Sequence, residues 1–190
     1  QFFPTYPNGK AITVRNLLEH TSGIPEMLAL PAVQQNLARY WSPEDLIGMV
    51  AKQPPLFKPG TRQLYCNTGF LMLAVIAEKI TGRTYAEQVH GIIADRLGMK
   101  TLLTGVDGAV VPRLVSGYSG SKGEMQLPLA ASIAIAMGTG NLEATPDDVV
   151  RLVNLDRIVK NNVLETLPLE PLVLADGKDA AVPSKMNHYL

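Results

Sequence analysis

The segment 57–82 constrains the fold of this chain most, because it places two polar residues directly before a long helical pattern. Pro59-Gly60 is a typical turn sequence, and Tyr65 and Asn67 follow it closely. From residue 68 to residue 80 the apolar side chains recur at helical spacing, and the glycine that closes the segment predicts the end of the helix. The pattern therefore predicts that Tyr65 and Asn67 lie at the rim of a packed scaffold.

Four N-cap signals predict further helices along the chain. We expect the first of these helices to end near residues 23–25 and the third to end at Gly98. The N-cap residues are Thr13, Ser42, Thr84 and Thr145. The apolar residues expected to face the core are Val14, Leu17, Leu18, Leu46, Ile47, Val50, Ala51, Val89, Ile92, Ile93, Leu97, Val149, Leu152 and Val153.

Extended structure is expected only in short pieces, at residues 62–65 and 101–104. The segment 105–128 is rich in glycine, serine and proline, and this composition favours a loop. The sequence thus predicts a mostly helical chain with few short strands.

Three blocks of sequence occur in a fixed order along the chain. The first is Ile-Thr-Val-Arg-Asn-Leu-Leu-Glu-His-Thr-Ser-Gly-Ile-Pro at 12–25, and the second is Pro-Gly-Thr-Arg-Gln-Leu-Tyr-Cys-Asn-Thr-Gly at 59–69. The third is Gly-Asn-Leu-Glu-Ala-Thr-Pro-Asp-Asp at 140–148. Together they resemble the serine β-lactamase and penicillin-binding-protein superfamily, specifically its class C and esterase-like branch. The resemblance extends from about residue 11 to about residue 157.

The resemblance implies an α/β (α+β) fold of the β-lactamase/transpeptidase type, of which this segment forms mostly the helical lobe. It also implies a serine hydrolase that acts through an acyl-enzyme on an amide or ester, such as a β-lactam, a D-alanyl peptide or a carboxylic ester. Tyr65 then corresponds to the catalytic base, and Asn67 corresponds to a substrate-binding residue that holds the substrate amide, or the family's catalytic lysine, in place.

A tyrosine base requires help from its surroundings. A free tyrosine has a pKa near 10, so only about one in a thousand is ionised at neutral pH. Lowering such a pKa by about 3 units corresponds to roughly 4 kcal/mol, which one or two nearby ammonium groups can supply. In the family these are the lysines of a Ser-x-x-Lys pair and of a late Lys-x-Gly strand. An isolated Tyr-x-Asn triplet is more often structural, with the asparagine serving a turn or cap.

The family's Ser-x-x-Lys pair is not N-terminal to the first block, and no Lys/His-x-Gly follows the third. We therefore expect residues 1–190 to be a single partial domain, an interior fragment without the nucleophile region and the C-terminal sheet strands. On this interpretation the chain alone is inactive, and uncovered apolar faces such as 71–76 favour self-association. The alternative is a non-catalytic pseudoenzyme or helical binding module.

Two other groupings could suggest a nucleophile. Ser119-Gly120-Ser121-Lys122 matches Ser-x-x-Lys literally, but it is flanked by glycine and follows Tyr65 instead of preceding it, so we interpret it as a solvated turn. His20 and Ser22 are two residues apart, a spacing at which helical side chains do not face each other. We therefore predict a structural role for His20.

Composition excludes few function classes. The 17 basic and 17 acidic residues cancel, which gives no indication of nucleic-acid binding, and a small-molecule substrate is expected. No apolar run is long enough to span a bilayer. Cys66 is the single cysteine, and no metal site or cofactor is predicted. The compartment is undetermined from the residues, although the resemblance suggests a periplasmic or secreted protein.

Overall fold

Helices dominate the computed structural model, which describes residues 2–121, 123–127 and 131–153. The α-helices are α1 (Val14–Leu18), α2 (Pro31–Gln34), α3 (Pro43–Val50), α4 (Asn67–Thr81), α5 (Tyr85–Val89), α6 (Asp95–Leu97) and α7 (Pro146–Val153). Short 3-10 helices cover Met27–Ala29 and Ile133–Ala136, and a π-helical turn, His90–Ala94, joins α5 to α6. The strands are β1 (Leu103–Thr104), β2 (Ser119–Ser121), β3 (Glu124–Gln126) and β4 (Leu142–Glu143).

The strands form two small antiparallel pairs. β1 pairs with β4, with Leu103 opposite Glu143, and β2 pairs with β3, with Gly120 opposite Met125. The β2–β3 hairpin corrects the loop expected over 105–128, since a glycine-rich and serine-rich composition hides a strand signal. Residues 62–65 form no strand. Their backbone instead forms a single hydrogen bond with the first block, in which the Leu64 N–H donates to the His20 carbonyl at 2.9 Å.

The predicted helix caps are largely confirmed. Thr13 and Thr84 each form a capping box, and the Ser42 hydroxyl accepts from the N–H three residues on. Gly82 and Gly98 end their helices with φ of +66° and +64°, in the left-handed region that glycine tolerates best. Local chemistry therefore sets most of the helix boundaries.

The helix α4 lies at the centre of the larger core and packs against α1, α3 and the 3-10 helix Met27–Ala29. Each large apolar side chain fully buried there contributes about 1.5–3 kcal/mol. The expected exposure of residues 71–76 is wrong for most of the segment, because α4 is covered on several sides. The fully buried apolar side chains of this core are Met27, Val33, Leu46, Val50 and Leu71.

A second, smaller core lies between α5 and the strand β1. It contains Val89, Leu97 and Met99, with Leu152 of α7 packed at its edge. The backbone N–H and the hydroxyl of Thr101 both donate to Asp148 Oδ2, at 2.7 and 2.6 Å. The buried carboxylate thus attaches the third sequence block to Thr101, two residues before β1.

Several expected core positions are exposed. α1 ends at Leu18 and not near 23–25, because the chain turns at His20 with φ of +57°. Ile92 is exposed because it lies in the π-helical turn, whose wider winding shifts the buried face. The other residues that were predicted to face the core but are exposed are Val14, Leu18 and Val149. The side chain of Val153 and the part of the resemblance beyond residue 153 lie outside the described residues.

Within the described ranges, no helix combines the length and the apolar character that crossing a bilayer requires.

Candidate functional site

Tyr65 and Asn67, the two predicted site residues, meet at the N-terminus of α4. The Tyr65 hydroxyl donates to Asn67 Oδ1 at 2.9 Å, and Tyr65 is 55% exposed. This bond engages the carboxamide oxygen of Asn67, so the donor group of the same side chain, Nδ2, remains for another acceptor. The prediction of two polar side chains at the rim of the scaffold is confirmed as a matter of position.

Glu26 anchors the backbone of Asn67. Its Oε2 accepts the Asn67 N–H at 2.6 Å, and its Oε1 accepts the Leu28 N–H at 3.0 Å. Cys66, the N-cap of α4, provides no side-chain cap of its own. The Glu26 carboxylate therefore satisfies one of the free N–H groups at the start of α4 and places negative charge where the helix dipole favours it.

His20 anchors the preceding residue. Its Nδ1 accepts the Cys66 N–H at 3.2 Å, and its ring centroid lies 4.7 Å from that of Tyr65 and 5.0 Å from that of Phe70. Because Nδ1 accepts, the neutral ring carries its proton on Nε2. Partial burial lowers the pKa of His20 below its ordinary value of 6.5, although the Glu26 carboxylate opposes this shift.

His20 and Glu26 belong to one short stretch, residues 20–26, which we call the anchoring segment. Thr21 and Gly23 in it accept the backbone N–H groups of Gly60 and Leu56, at 2.8 and 2.9 Å. Gly23 has φ of +72°, and a Cβ at that position would lie 2.1 Å from the Phe57 carbonyl oxygen. Only glycine fits this close approach of two backbones.

The buried side of the triplet 65–67 is structural. The Cys66 thiol is 3% exposed and contacts the Ile24 carbonyl at 3.3 Å, and burial raises the pKa of that thiol. The hydroxyl of Thr68, which is fully buried, donates to the Pro25 carbonyl and accepts from the Met27 N–H, both at 2.8 Å. Cys66 thus points away from Tyr65 and Asn67, as expected, and is not poised as a nucleophile.

The alternative nucleophiles considered from sequence are in unsuitable places. Ser22 is 3% exposed and its Oγ accepts from the Ile24 N–H, while His20 bonds to Cys66 and not to Ser22. Ser119 begins the exposed strand β2 instead of a helix. Lys122, the second half of that tetrapeptide, lies outside the described residues.

Tyr65 is exposed on one side of the site, and the larger core, which includes Cys66, lies on the other. A pocket of about 350 Å³ between the N-terminal residues and α4 is lined by Phe3, Tyr6, Leu17 and Met72, among others, and includes neither Tyr65 nor Asn67. In the part of the chain that the structure describes, no three His, Cys, Asp or Glu side chains form a cluster that could hold a metal ion.

Sequence reasoning missed Glu26 and the contacts of His20. Glu26 lies 41 residues from Asn67, and His20 lies 46 residues from Cys66. No periodicity or local motif reports a contact over such a separation. The one sequence signal that could have indicated it is the presence of a His-Thr-Ser-Gly block and a Tyr-x-Asn block in the same chain.

Comparison with known proteins gives a consistent picture. The Beta-lactamase family model matches residues 3–188. Penicillin-binding protein 4* of Bacillus subtilis is 31% identical over 101 residues, which are 52% of this chain and 22% of that protein. The D-aminopeptidase of Cereibacter sphaeroides is 27% identical over 197 residues, covering 99% of this chain and 37% of that protein.

A solved structure of similar fold is the D-stereospecific amidohydrolase from a Streptomyces species. It superposes with a TM-score of 0.68 at 25% identity, over 78% of this chain and 47% of that one. The chain thus spans less than half the length of each of these three proteins.

Proposed function

Because this chain belongs to the beta-lactamase family, we propose that it carries the tyrosine–asparagine part of an acyl-transfer site, with Tyr65 as general base and Asn67 as substrate-binding residue. The observation that carries the proposal is the 2.9 Å hydrogen bond between these two side chains at the exposed start of α4. It places a proton-transferring oxygen beside an amide that can hold a carbonyl group.

The reaction divides into two acyl transfers. A serine oxygen attacks the substrate carbonyl while Tyr65 takes the serine proton, and the same proton then passes to the leaving amine or alcohol. Water next attacks the acyl-enzyme while Tyr65 accepts its proton, and Tyr65 then returns that proton to the departing serine oxygen. Asn67 Nδ2 donates to a carbonyl oxygen of the substrate and keeps it within reach. The hydrogen bond from Tyr65 to Asn67 Oδ1 belongs to the protonated phenol, the form that is present once Tyr65 has taken the serine proton.

The nucleophile is the missing component of this scheme. We propose that a Ser-x-x-Lys helix outside the 190 residues supplies it, so that residues 1–190 are one partial domain. Supporting this, Ser22 and Ser132 are buried and hydrogen-bonded, Ser42 caps α3, and Ser119 lies on an exposed strand. None of these four serines begins a helix with its oxygen free.

For the substrate, we propose an amide or ester with a D-configured residue on its acyl side. The support is the character of two related proteins, a D-aminopeptidase and a D-stereospecific amidohydrolase. A panel for assay contains a D-amino-acid amide, its L-enantiomer, a D-alanyl peptide, a chromogenic β-lactam and a simple carboxylic ester. Hydrolysis of the D-amide well above that of its enantiomer supports the assignment, and equal rates contradict it.

The test of the base compares Tyr65→Phe with Tyr118→Phe in the full-length natural protein. Both tyrosines are more than half exposed, but Tyr118 is next to the β2–β3 hairpin, outside the proposed site. We expect kcat/KM to fall by about 10²–10⁴-fold for Tyr65→Phe and to stay unchanged for Tyr118→Phe. A Tyr65→Phe variant within threefold of wild type would exclude the base role.

A mass measurement tests the position of the nucleophile. After incubation of the 190-residue chain with a fluorophosphonate, we expect no adduct, whereas a stoichiometric adduct on Ser119 would overturn the proposal. If the full-length protein hydrolyses nothing in the panel, a non-catalytic binding role replaces hydrolysis.

We also propose that the isolated chain self-associates through its uncovered apolar residues. Leu18 and Ile92, each 55% exposed, line a mostly apolar groove of about 300 Å³ together with Phe70 and Leu73. Light scattering behind size-exclusion chromatography should give a mass above that of one chain. Leu18→Glu should lower it, and a monomeric wild type would contradict the proposal.

A further inference from the structure

We infer that His20 and Glu26 are positioning residues that hold Tyr65 and Asn67 in the geometry that acyl transfer requires. The inference rests on the proposed function, since it explains how the same two side chains keep their relation to each other. Neither His20 nor Glu26 needs to touch the reacting atoms. Their action passes through the backbone and the ring of the triplet 65–67.

The first support is that two successive backbone amides of the triplet are held by side chains. The Cys66 N–H donates to His20 Nδ1, and the Asn67 N–H donates to Glu26 Oε2. Two bonds on neighbouring peptide groups fix the rotation of the chain between them, so the Cα atoms of Tyr65 and Asn67 keep their directions. This arrangement differs from an ordinary helix start, where a single N-cap side chain accepts one amide.

The second support concerns the Tyr65 ring. More than half of Tyr65 is exposed, and such a side chain would ordinarily exchange among rotamers. The His20 ring lies against one side of it at a centroid distance of 4.7 Å, and the Phe70 ring lies on His20 at 5.0 Å. Three rings in a row restrict the phenol to the position from which its hydroxyl reaches Asn67 Oδ1.

The third support is the fixed geometry of the anchoring segment itself. Its carbonyls at His20, Thr21 and Gly23 accept backbone N–H groups from the segment that leads to Tyr65. The close approach at Gly23 leaves no room for a side chain. Because His20 and Glu26 stand on this backbone, their acceptor atoms are held in place before any substrate binds.

Substitutions in the full-length natural protein separate the two contacts. His20→Phe keeps a ring but removes the Nδ1 acceptor, whereas His20→Asn keeps an acceptor and tolerates the φ of +57° at this position. Glu26→Gln keeps the shape but retains one acceptor oxygen for two N–H donors. Glu19→Gln is the matched control, because its carboxylate pairs with Arg15 and has no contact with the triplet.

We expect kcat to fall by about 10–100-fold for His20→Phe and Glu26→Gln, a range typical of a displacement of about 1 Å in the catalytic groups. The readout specific to positioning is rescue. His20→Asn should recover part of the kcat lost in His20→Phe, because it restores an acceptor for the Cys66 N–H but not the ring beside Tyr65. Glu19→Gln should match wild type.

A second readout does not depend on activity. In ¹⁵N-labelled protein the amide resonances of Cys66 and Asn67 should move in His20→Phe and Glu26→Gln, respectively, and should stay in place in Glu19→Gln. In the wild-type protein the Cys66 amide should also shift as the His20 ring is protonated. This titration needs no substitution, so it tests the contact even if a variant fails to fold.

The outcomes distinguish this inference from the proposed function. If Tyr65→Phe destroys activity while His20→Phe and Glu26→Gln stay within twofold of wild type, the positioning role is overturned and the hydrolase assignment stands. If Tyr65→Phe is fully active, the base role of Tyr65 fails, although the protein is still a hydrolase. The amide resonances test separately whether His20 and Glu26 hold the triplet. If the Cys66 and Asn67 resonances do not move in the two variants, the positioning role is overturned.

Discussion

Two segments of this chain match short motifs of the beta-lactamase family, and their surroundings differ completely. Tyr65 and Asn67 stand on a backbone whose amides are bonded to His20 and Glu26, and they adjoin the buried residues of the larger core. Ser119 lies in a hairpin whose paired residues are all exposed. Distant parts of the chain hold the first segment in place, which is the arrangement that the proposed site requires.

The strongest way to break this contrast is Gly23→Ala. A left-handed φ costs a non-glycine residue about 1–2 kcal/mol, and the added Cβ would also lie 2.1 Å from the Phe57 carbonyl oxygen. We expect the free energy of unfolding to fall by at least about 3 kcal/mol, measured by urea denaturation. Activity should fall further than the folded fraction, because the anchoring segment itself is displaced.

Gly48→Ala is the control for Gly23→Ala. Gly48 is exposed within α3, and a Cβ added there would meet nothing within 4 Å. Alanine at this position should leave the free energy of unfolding unchanged or raise it by about 0.4–1 kcal/mol. If both variants had similar stability, the close contact between the anchoring segment and Phe57 would not be present in solution.

Sequence alone predicts the local features of this chain but not its long-range contacts. Caps at Thr13 and Thr84 and the stop at Gly82 were predictable, because they depend on residues within one helical turn. Tyr65 and Asn67 were predicted as site residues because they lie in the second of three blocks that follow the order of the family. The groups that hold them were not, since Glu26 meets Asn67 only after the chain has folded back over 41 residues.

The failures at other positions have the same physical origin. Ile92 was expected to be buried from a regular 3.6-residue period, which the π-helical turn interrupts. The hairpin formed by β2 and β3 was missed because its strands are short and rich in glycine and serine. In both cases the outcome depends on backbone pairing that no periodic pattern encodes.

A milder test of the same contrast is Thr68→Val. Valine keeps the branched shape but removes the hydroxyl that links the Met27 N–H and the Pro25 carbonyl, leaving both without that partner in a buried place. We expect a loss of about 1–3 kcal/mol in the free energy of unfolding. Thr81→Val, at the exposed end of α4, is the control and should change stability by less than about 0.5 kcal/mol.

Lower pH should weaken the contact between the anchoring segment and the triplet 65–67. The pKa of His20 is lowered in the folded protein, so between that value and 6.5 the unfolded chain binds a proton that the folded chain does not. The contribution of neutral His20 to the free energy of unfolding is therefore fully present above pH 6.5 and is lost as the pH falls through the pKa of His20 in the folded protein. Protonation of Nδ1 would also remove the acceptor for the Cys66 N–H.

The pH effect is isolated by comparing wild type with His20→Asn between about pH 5 and pH 8, the range in which histidine titrates. The groups around the imidazole are the Tyr65 phenol, the Cys66 backbone N–H and the Glu26 carboxylate, and all three remain in both proteins. The denaturation midpoint of wild type should fall more steeply on acidification than that of the variant. Parallel curves would mean that His20 titrates alike in the folded and unfolded states.

The smallest effect is expected at Ser119. Its side chain is exposed on β2, and no hydrogen bond ties it to the core among the described residues, so Ser119→Ala should change the free energy of unfolding by less than about 0.5 kcal/mol. Activity of the full-length protein should be unchanged in a kinetic assay, because none of the hydrogen bonds among the described residues links the Ser119 hydroxyl to a base, and an unactivated hydroxyl is a weak nucleophile. A loss of activity above tenfold would transfer the nucleophile to this hairpin and remove the contrast with Tyr65 and Asn67.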